Sequence, residues 1–231
     1  MATSPKLTIN SGIPLHDPTE YRRIVGSFQY LAFTRPDISF VVNCLSQYMH
    51  SPTDLHWQAA KRLLRYLKGT TTHGIFLKRN NPLSLHAYSD ADWAGDSTDY
   101  VSTNGYIAYL GHTPVSWSSK KQNGVTRSSM EAEYRSVANT SSELRWICSL
   151  LQELGITLPT IPTIYCDNID AIYLCANRSG VLRVVHVTTK DQLADALTKS
   201  LSKIPFTSFL NKIGVTPSPS ILRGCIENHS Q

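Results

Sequence analysis

The chain has 231 residues, of which 41% are hydrophobic, and a formal net charge of +5 at pH 7. This apolar content supports a packed core and excludes wholesale disorder, while the mild positive charge is compatible with a polyanionic partner without requiring one. No stretch approaches the ~18 apolar residues of a membrane span, and no signal-like run opens the chain, so no membrane partner is expected. Five cysteines without a C-x-x-C pair argue against a disulfide framework and a zinc site, which predicts an intracellular location, cytoplasmic or nuclear.

The first part of the chain predicts a tail followed by a small, mainly helical unit, which we expect to pack separately from the sheet predicted further along the chain. Residues 1–16 are polar and contain two prolines, which is typical of a tail or linker. The pattern that follows is mainly helical, with an interruption at Pro36. A helix with clear start and stop signals comes next, with Ser51 as the expected N-cap, Pro52 as the first helical residue and Gly69 as the residue that ends it.

This predicted helix has an apolar side and a basic side. The residues expected to face the core are Leu55, Ala59, Leu63, Tyr66 and Leu67. The basic stripe consists of Lys61, Arg65 and Lys68. Two interpretations of the basic stripe remain open at this point: a helix that lies against nucleic-acid phosphates, or an ordinary solvated face.

After residue 80 the pattern changes from helical periodicity to the alternation that is typical of strands. A first run ends at Asp90, and the runs NGYIAYLG and PVSWSSK follow after turns, so the spacing predicts an antiparallel meander of three strands. A long helix is expected from Ser128 to Leu154, where Ser128 and Glu131 form a capping-box pattern.

The rest of the chain alternates between strands and helices, in the runs TIPTIYCDN, IDAIYLCAN, GVLRVVHV and KDQLADALTKSL. The predicted order is therefore β-β-β-α-β-α-β-α, an α/β fold with three antiparallel strands followed by parallel strands. A strand that follows a long helix normally returns parallel to a neighbour through a right-handed crossover. Asp90 and Asp167 should then lie at the same carboxyl-terminal edge of one mixed sheet, where open α/β sheets bind their ligands.

Four acids are candidates for a site at this edge: Asp90, Glu133, Asp167 and Asp195. The stripe of the long helix expected to face the sheet is formed by Met130, Tyr134, Val137, Ser141, Leu144, Ile147, Cys148 and Leu151. On a helical wheel, Glu133 falls roughly 30° from the centre of this stripe and Glu131 roughly 130° away. Glu133 is therefore expected to point at the sheet, and Glu131 to be a surface acid and cap.

Carboxylates that converge in this way repel one another, and Mg²⁺ ions, which prefer hard oxygen ligands, resolve the repulsion. Two such ions ~3.5–4 Å apart activate a water and stabilise the leaving oxygen of a phosphodiester. Each acid taken singly also has an ordinary interpretation as a turn residue, a helix cap or a solvated acid. The order Asp, Glu, Asp, Asp on this succession of strands and helices is the more specific signal.

Several long strings of the sequence are distinctive: YSDADWAGDSTDYVSTNGYIAYLG, VSWSSKKQNGVTRSSMEAEYRSVA, YCDNIDAIYL and DQLADALTKSL. They resemble the RNase H domain of copia-type LTR retrotransposon polyproteins. The preceding segment, from YRRIVGSFQYLAF to GIFL, resembles the end of the reverse transcriptase with its thumb and connection. The resemblance implies a tail over 1–16, a thumb and connection remnant over 17–80, an RNase H-like domain over 81–201 and a C-terminal tail over 202–231.

The resemblance implies cleavage of the RNA strand of RNA–DNA hybrids by two Mg²⁺ ions, with Mn²⁺ as the alternative metal. It assigns catalytic, metal-binding roles to Asp90 in SDADW, Glu133 in EAEY, Asp167 in YCDN and Asp195 in QLAD. The partners it implies are an RNA–DNA hybrid and, in an intact element, the rest of the Pol polyprotein.

Two departures from the family pattern bear on activity. The sequence contains no adjacent aspartates, so the catalytic Asp-Asp pair of the reverse transcriptase is absent, and we do not expect polymerisation by this chain. Between YLCAN and SGVLRVVHV the family carries a further, mostly helical segment, for which only Arg178 and a few neighbours stand in. We therefore expect a truncated copy with an internal deletion, and a weakened nuclease, because the short connection after Asn177 would displace Asp195 from the metals.

Two other functions remain as alternatives. The missing segment favours an inert, nucleic-acid-binding remnant that keeps the fold without turnover. An integrase-like transferase would share this sheet, but integrases place their glutamate after both aspartates, whereas Glu133 lies between Asp90 and Asp167. No His/Cys zinc module precedes the predicted domain either.

Overall fold

A small group of helices precedes a five-stranded mixed sheet. The structure, a computed structural model, describes residues 7–9, 11–77, 79–96, 98–174 and 181–217. Its helices and strands are α1 (Thr19–Leu31), α2 (Ser39–Ser46), α3 (Asp54–Gly69), β1 (His73–Ile75), β2 (Leu85–Asp92), β3 (Thr103–Leu110), β4 (Thr113–Lys121), α4 (Ser129–Glu153), β5 (Thr163–Cys166), α5 (Ile169–Leu174), β6 (Arg183–His186), α6 (Asp195–Thr198), α7 (Lys203–Lys212) and β7 (Val215–Pro217). Among the described residues, no helix has both the length and the apolar character that crossing a bilayer requires.

The start of α3 differs from the sequence-based prediction. The N-cap is Thr53, whose Oγ1 accepts a hydrogen bond from the His56 backbone N, while His56 Nδ1 accepts one from the Thr53 N at 3.0 Å. The prediction that Ser51 caps this helix is wrong. The cap lies two residues further along, because the reciprocal hydrogen bonds between Thr53 and His56 satisfy the free backbone amides at the start of the helix. Ile13, in the expected tail, also bonds to Asp54, so part of that tail is fixed to the helix.

The sheet has the predicted topology, with strand order β4-β3-β2-β5-β6. β2, β3 and β4 form the expected antiparallel meander, and β5 and β6 are parallel additions next to β2. β6 pairs in register with β5, from Thr163 opposite Arg183 to Cys166 opposite His186. The chain between these strands, residues 167–182, exceeds the dozen or so residues that a parallel return needs. The predicted deletion point, near residue 178, lies outside the described residues.

Helix α4 covers one face of the sheet and begins at the predicted cap. Ser128 Oγ accepts a hydrogen bond from the Glu131 N at 3.2 Å. The Glu131 carboxylate accepts from the Arg127 N at 2.8 Å and not from the Ser128 N, so the capping box is only half formed. The apolar part of the interface is a core that includes Leu85, Leu144 and Ile164.

The face that α4 presents to the sheet is rotated from the prediction in its first half. Met130 and Tyr134 are exposed, whereas Ala132, Glu133, Ser136 and Thr140 are buried. The reason is a buried polar network, which apolar periodicity does not detect. Ser136 and Thr140 both bond to the Ser89 hydroxyl of β2, at 2.9 Å and 3.0 Å. Their small side chains allow the helix to lie close to the strand.

The other face of the sheet is covered by the C-terminal part of the chain. The helix expected over KDQLADALTKSL is divided into a 3₁₀ turn (Thr189–Asp191) and the short α6. The expected tail contains α7 and β7 in its described part, since Phe209 and Ile213 are buried against Ile107 and β7 pairs antiparallel with β1. These apolar contacts explain why the segment is ordered although its own helical signal is weak.

The helical unit has its own apolar core, which includes Tyr21, Leu45 and Leu63. We expected this unit to pack separately from the sheet, and this expectation is wrong. Helix α2 contacts β4 and α6, and Trp117 Nε1 on β4 donates to the Ala32 carbonyl at 2.8 Å. The division of the chain into domains at residues 17, 81 and 202 stays a prediction.

Candidate metal centre

Asp90 lies on β2, the central strand of the sheet, and is 1% exposed. The Thr198 hydroxyl of α6 donates a hydrogen bond to its Oδ2. Gly105, the residue opposite Asp90 on β3, permits this contact, because a Cβ there would lie 2.8 Å from the Leu197 Cβ and 2.9 Å from the Thr198 Cγ2. A glycine at this position therefore lets α6 approach the sheet beside the buried acid.

The structure brings Asp90, Asp167 and Asp195 together. Each offers a carboxylate oxygen, and these oxygens lie within 4.8 Å of one another. Asp167 directly follows β5, which runs parallel to β2, and Asp195 opens α6. Asp195 thus lies in one group with the other two acids, and β6 pairs in register with β5, while the expected displacement of Asp195 from the metals stays a prediction.

Glu133 approaches the same edge from α4 and is 6% exposed. Its Oε1 accepts a hydrogen bond from the Ala91 N at 3.1 Å, which orients the carboxylate beside β2. Glu133, Cys166 and Asp167 form a second group whose ligand atoms lie within 4.8 Å of one another, so Asp167 belongs to both groups. Glu131 points away from the sheet, as the helical wheel predicted, and pairs with Arg135 at 2.7 Å.

Burial and mutual repulsion shift the ionisation of this cluster. Burial raises the pKa of Asp90 to about 6, with Asp195 and Asp167 adding to the rise and Lys199 opposing it. Burial and the charge of Asp90 raise the pKa of Glu133 to about 9. The pKa of the buried Cys166 thiol rises to about 12, so this sulfur stays protonated at neutral pH and donates weakly to Glu133. The cluster therefore favours either protons or a cation.

Lys199 supplies a positive charge that the sequence analysis missed. Its Nζ lies 2.9 Å from Asp195 Oδ1 and 3.5 Å from Asp90 Oδ2. Burial alone would lower the pKa of this ammonium, but Asp90 and Asp195 outweigh burial and raise it. The sequence carried one signal for this contact, since Asp195 and Lys199 are spaced i, i+4 on a helical run.

The donor atoms fit a hard divalent cation. Asp90, Asp167 and Asp195 provide three carboxylates for one position, and Glu133 with the shared Asp167 provides two for another. Mg²⁺ is usually held by one or two carboxylates, with water and substrate phosphates completing its shell. The protonated Cys166 thiol is a poor ligand for Mg²⁺, so the oxygens define the site.

The basic stripe lies on α3 in the helical unit. Lys61, Arg65 and Lys68 are all exposed, and Lys61 Nζ lies 5.1 Å from the centre of the Trp57 ring. The structure thus places the stripe on solvent-facing helix surface, and both interpretations of it remain compatible with this position.

The mixed five-stranded sheet with its helices is an RNase H-like fold, and the acids lie at the carboxyl-terminal edge of two adjacent parallel strands. No protein-family model matches the chain. The chain is 66% identical to the retrovirus-related Pol polyprotein from transposon RE2 of Arabidopsis thaliana, over 98% of this chain and 17% of the relative. It is 67% identical to the corresponding polyprotein from transposon RE1 of the same plant, over 95% of this chain and 16% of the relative.

A third relative is the retrovirus-related Pol polyprotein from transposon TNT 1-94 of Nicotiana tabacum, 37% identical over 74% of this chain and 13% of the relative. The chain belongs to the Pol polyproteins of Ty/copia-type retrotransposons, and it spans about a sixth of the length of the two Arabidopsis relatives. The 247 aligned positions with the RE2 polyprotein exceed the 231 residues of this chain, so that relative contains internal residues that this chain lacks. The comparison agrees in this respect with the predicted missing segment.

Proposed function

We propose that this chain is the RNase H part of a retrotransposon Pol polyprotein and cleaves the RNA strand of RNA–DNA hybrids in a two-metal reaction. The observation that carries the proposal is the convergence of Asp90, Asp167 and Asp195 at one sheet edge, with Glu133 beside them and Asp167 common to both groups. Membership of the Pol family supports a nucleic-acid substrate.

The four acids would hold two Mg²⁺ ions, which when bound would activate a water and stabilise the leaving oxygen of the phosphodiester. Asp90 and Asp195 would serve one ion, Glu133 the other, and Asp167 both. The Thr198 hydroxyl and the Ala91 amide fix the orientation of Asp90 and Glu133. Rigid carboxylates of this kind hold the reacting groups in place, and much of the rate of such a reaction comes from positioning.

The test is a cleavage assay on an RNA–DNA hybrid that is labelled on either strand. We expect Mg²⁺-dependent cuts in the RNA strand only, with no cleavage after chelation and none of the matched DNA duplex or single-stranded RNA. A wild-type chain that binds the hybrid and the metal without cutting would contradict the proposal and support the inert remnant, the alternative favoured by the residues that this chain lacks.

The basic stripe gives a separate prediction about substrate binding. If Lys61, Arg65 and Lys68 bind the phosphates of the hybrid, their joint replacement with alanine flattens the log–log dependence of affinity on salt by about one unit for each phosphate that is no longer bound. Affinity for a hybrid, measured from 50 to 300 mM salt by anisotropy (about six concentrations), checks this. An unchanged slope would show that the stripe is only a solvated face.

A further inference from the structure

A lysine ammonium already lies among the carboxylates of the candidate metal centre. Lys199 Nζ bonds to Asp195 Oδ1 at 2.9 Å and lies 3.5 Å from Asp90 Oδ2. Both acids belong to the three-carboxylate group. Because Asp90 is 1% exposed, a cation is needed to offset the cost of burying its charge. Within the described part of the chain, the ion pairs of Asp90 and Asp195 are both with Lys199.

The ammonium and a divalent metal compete for these carboxylates. Mg²⁺ binds oxygen at ~2.0–2.1 Å, and an ion held by Asp90 and Asp195 would lie within a few ångströms of Nζ. Two positive charges at this separation repel strongly where solvent is partly excluded. The metal and Lys199 therefore cannot both hold these acids in the present arrangement.

Space for a displaced lysine side chain lies next to the cluster. A cavity of about 320 Å³ is lined by Thr198, Lys199 and Ser200 on one side and by Asp92 and Asp96 on β2 and the turn after it. The Lys199 side chain is 38% exposed, so it already borders open space. It is a long, flexible side chain that can change rotamer without a shift of α6.

We propose that Lys199 is a tethered counter-ion, which pairs with Asp90 and Asp195 in the metal-free protein and is displaced by the incoming metal. The proposal rests on the metal centre of the proposed function. Its consequence is a weaker intrinsic affinity for metal, so that occupancy depends on the extra oxygen ligands that a bound phosphodiester provides.

The first test compares metal binding by Lys199→Met and Lys212→Met. Methionine keeps an unbranched stem and removes the charge. Lys212 is the control, because it pairs with an aspartate, Asp191, outside the candidate metal centre and is 41% exposed, against 38% for Lys199. Titration with Mn²⁺, followed by electron paramagnetic resonance in the absence of nucleic acid, should show binding that is about tenfold tighter in Lys199→Met and unchanged in Lys212→Met. Equal or weaker binding by Lys199→Met would overturn the proposal.

A second test uses the wild-type chain and so does not depend on how a variant folds. Reductive methylation with isotope-labelled formaldehyde, read by mass spectrometry, reports how available each lysine amine is. We expect Lys199 to react several times faster with saturating Mg²⁺ than with chelator, while Lys212 keeps its rate. A Lys199 rate that stays constant as the metal site fills would also overturn the proposal.

These results separate the two proposals. If the Lys199→Met substitution tightens metal binding but the chain does not cleave the hybrid, the counter-ion proposal stands and the nuclease proposal is contradicted. If the chain cleaves the hybrid but Lys199→Met binds metal with unchanged affinity, the nuclease proposal stands and the counter-ion proposal is contradicted. Absence of Mn²⁺ binding at millimolar concentration in every variant, both with and without the hybrid, contradicts both.

Discussion

The substitution Asp167→Asn is expected to reduce hybrid cleavage by at least on the order of a hundredfold, since even a misplacement of about 1 Å in such a site costs that much. Asp167 is the residue common to both ligand groups, so its loss weakens both metal positions together. Asparagine keeps the size of the side chain and removes the charge. Initial rates at saturating hybrid and Mg²⁺ measure the effect.

The fold should tolerate this change. The Asp167 side chain is only half-buried and, within the described part of the chain, accepts a hydrogen bond from Thr189 Oγ1 at 3.3 Å. The free energy of unfolding in chelator should therefore change by no more than about 0.5 kcal/mol. Asp170→Asn is the matched control, because Asp170 is exposed in the first turn of α5 and lies outside both ligand groups. Full cleavage by Asp167→Asn, or an equal loss in Asp170→Asn, would place the active site elsewhere.

The position of the acids was predictable because local signals and a general topological rule agree. The strand that ends before Asp167 follows a long helix, and right-handed crossovers place such a strand parallel to a neighbour. Helical periodicity and the position of the helix cap were enough to choose Glu133 over Glu131. In the structure Glu133 is buried, whereas Glu131 lies at the surface and pairs with Arg135. The orientation of Glu133 depends on residues near it in the sequence, and the pairing of the two distant strands follows from the topological rule.

The features that sequence reasoning missed depend on contacts between distant segments. Met130 and Tyr134 were placed on the buried face because they are apolar, whereas hydrogen bonds to Ser89 select the polar Ser136 and Thr140 for that face. The ordered segment after residue 202 is held by its burial against β3. Lys199 was missed because the sequence gives its spacing from Asp195 but not the position of Asp90.

The pH dependence of stability is the second large effect expected from this cluster. In chelator, the native pKa of Glu133 is raised from 4.5 to about 9 and that of Asp90 from 3.8 to about 6. At a pH between the unfolded and the native pKa of either acid, the native state binds more protons than the unfolded state. The free energy of unfolding therefore falls as pH rises, by up to about 1.4 kcal/mol per pH unit for one such group.

The substitution Glu133→Gln isolates this effect. Asp90 is largely deprotonated above about pH 7, so between pH 7 and 9 Glu133 is the one of these two acids that still changes its protonation, and Glu133→Gln should lose the decline that the wild type shows there. The side-chain carbonyl of the introduced glutamine can still accept from the Ala91 N, which preserves the local hydrogen bond. Urea unfolding at half-unit pH intervals measures the slope difference, and comparison with the wild type cancels the contribution of the histidines.

Glu131→Gln is the control for Glu133→Gln, since it changes the same residue type two positions away on α4. The pKa of Glu131 is lowered by its hydrogen bond with the Arg127 amide and by Arg135, so its stabilising contribution is lost only as pH falls into the acidic range. This variant should keep the wild-type slope between pH 7 and 9. Saturating Mg²⁺ should oppose the decline in the wild type, because the metal binds the deprotonated carboxylates and its binding releases protons. If the wild type and Glu133→Gln show the same slope in chelator, Glu133 is already ionised at neutral pH, and burial and the charge of Asp90 do not raise its pKa as expected.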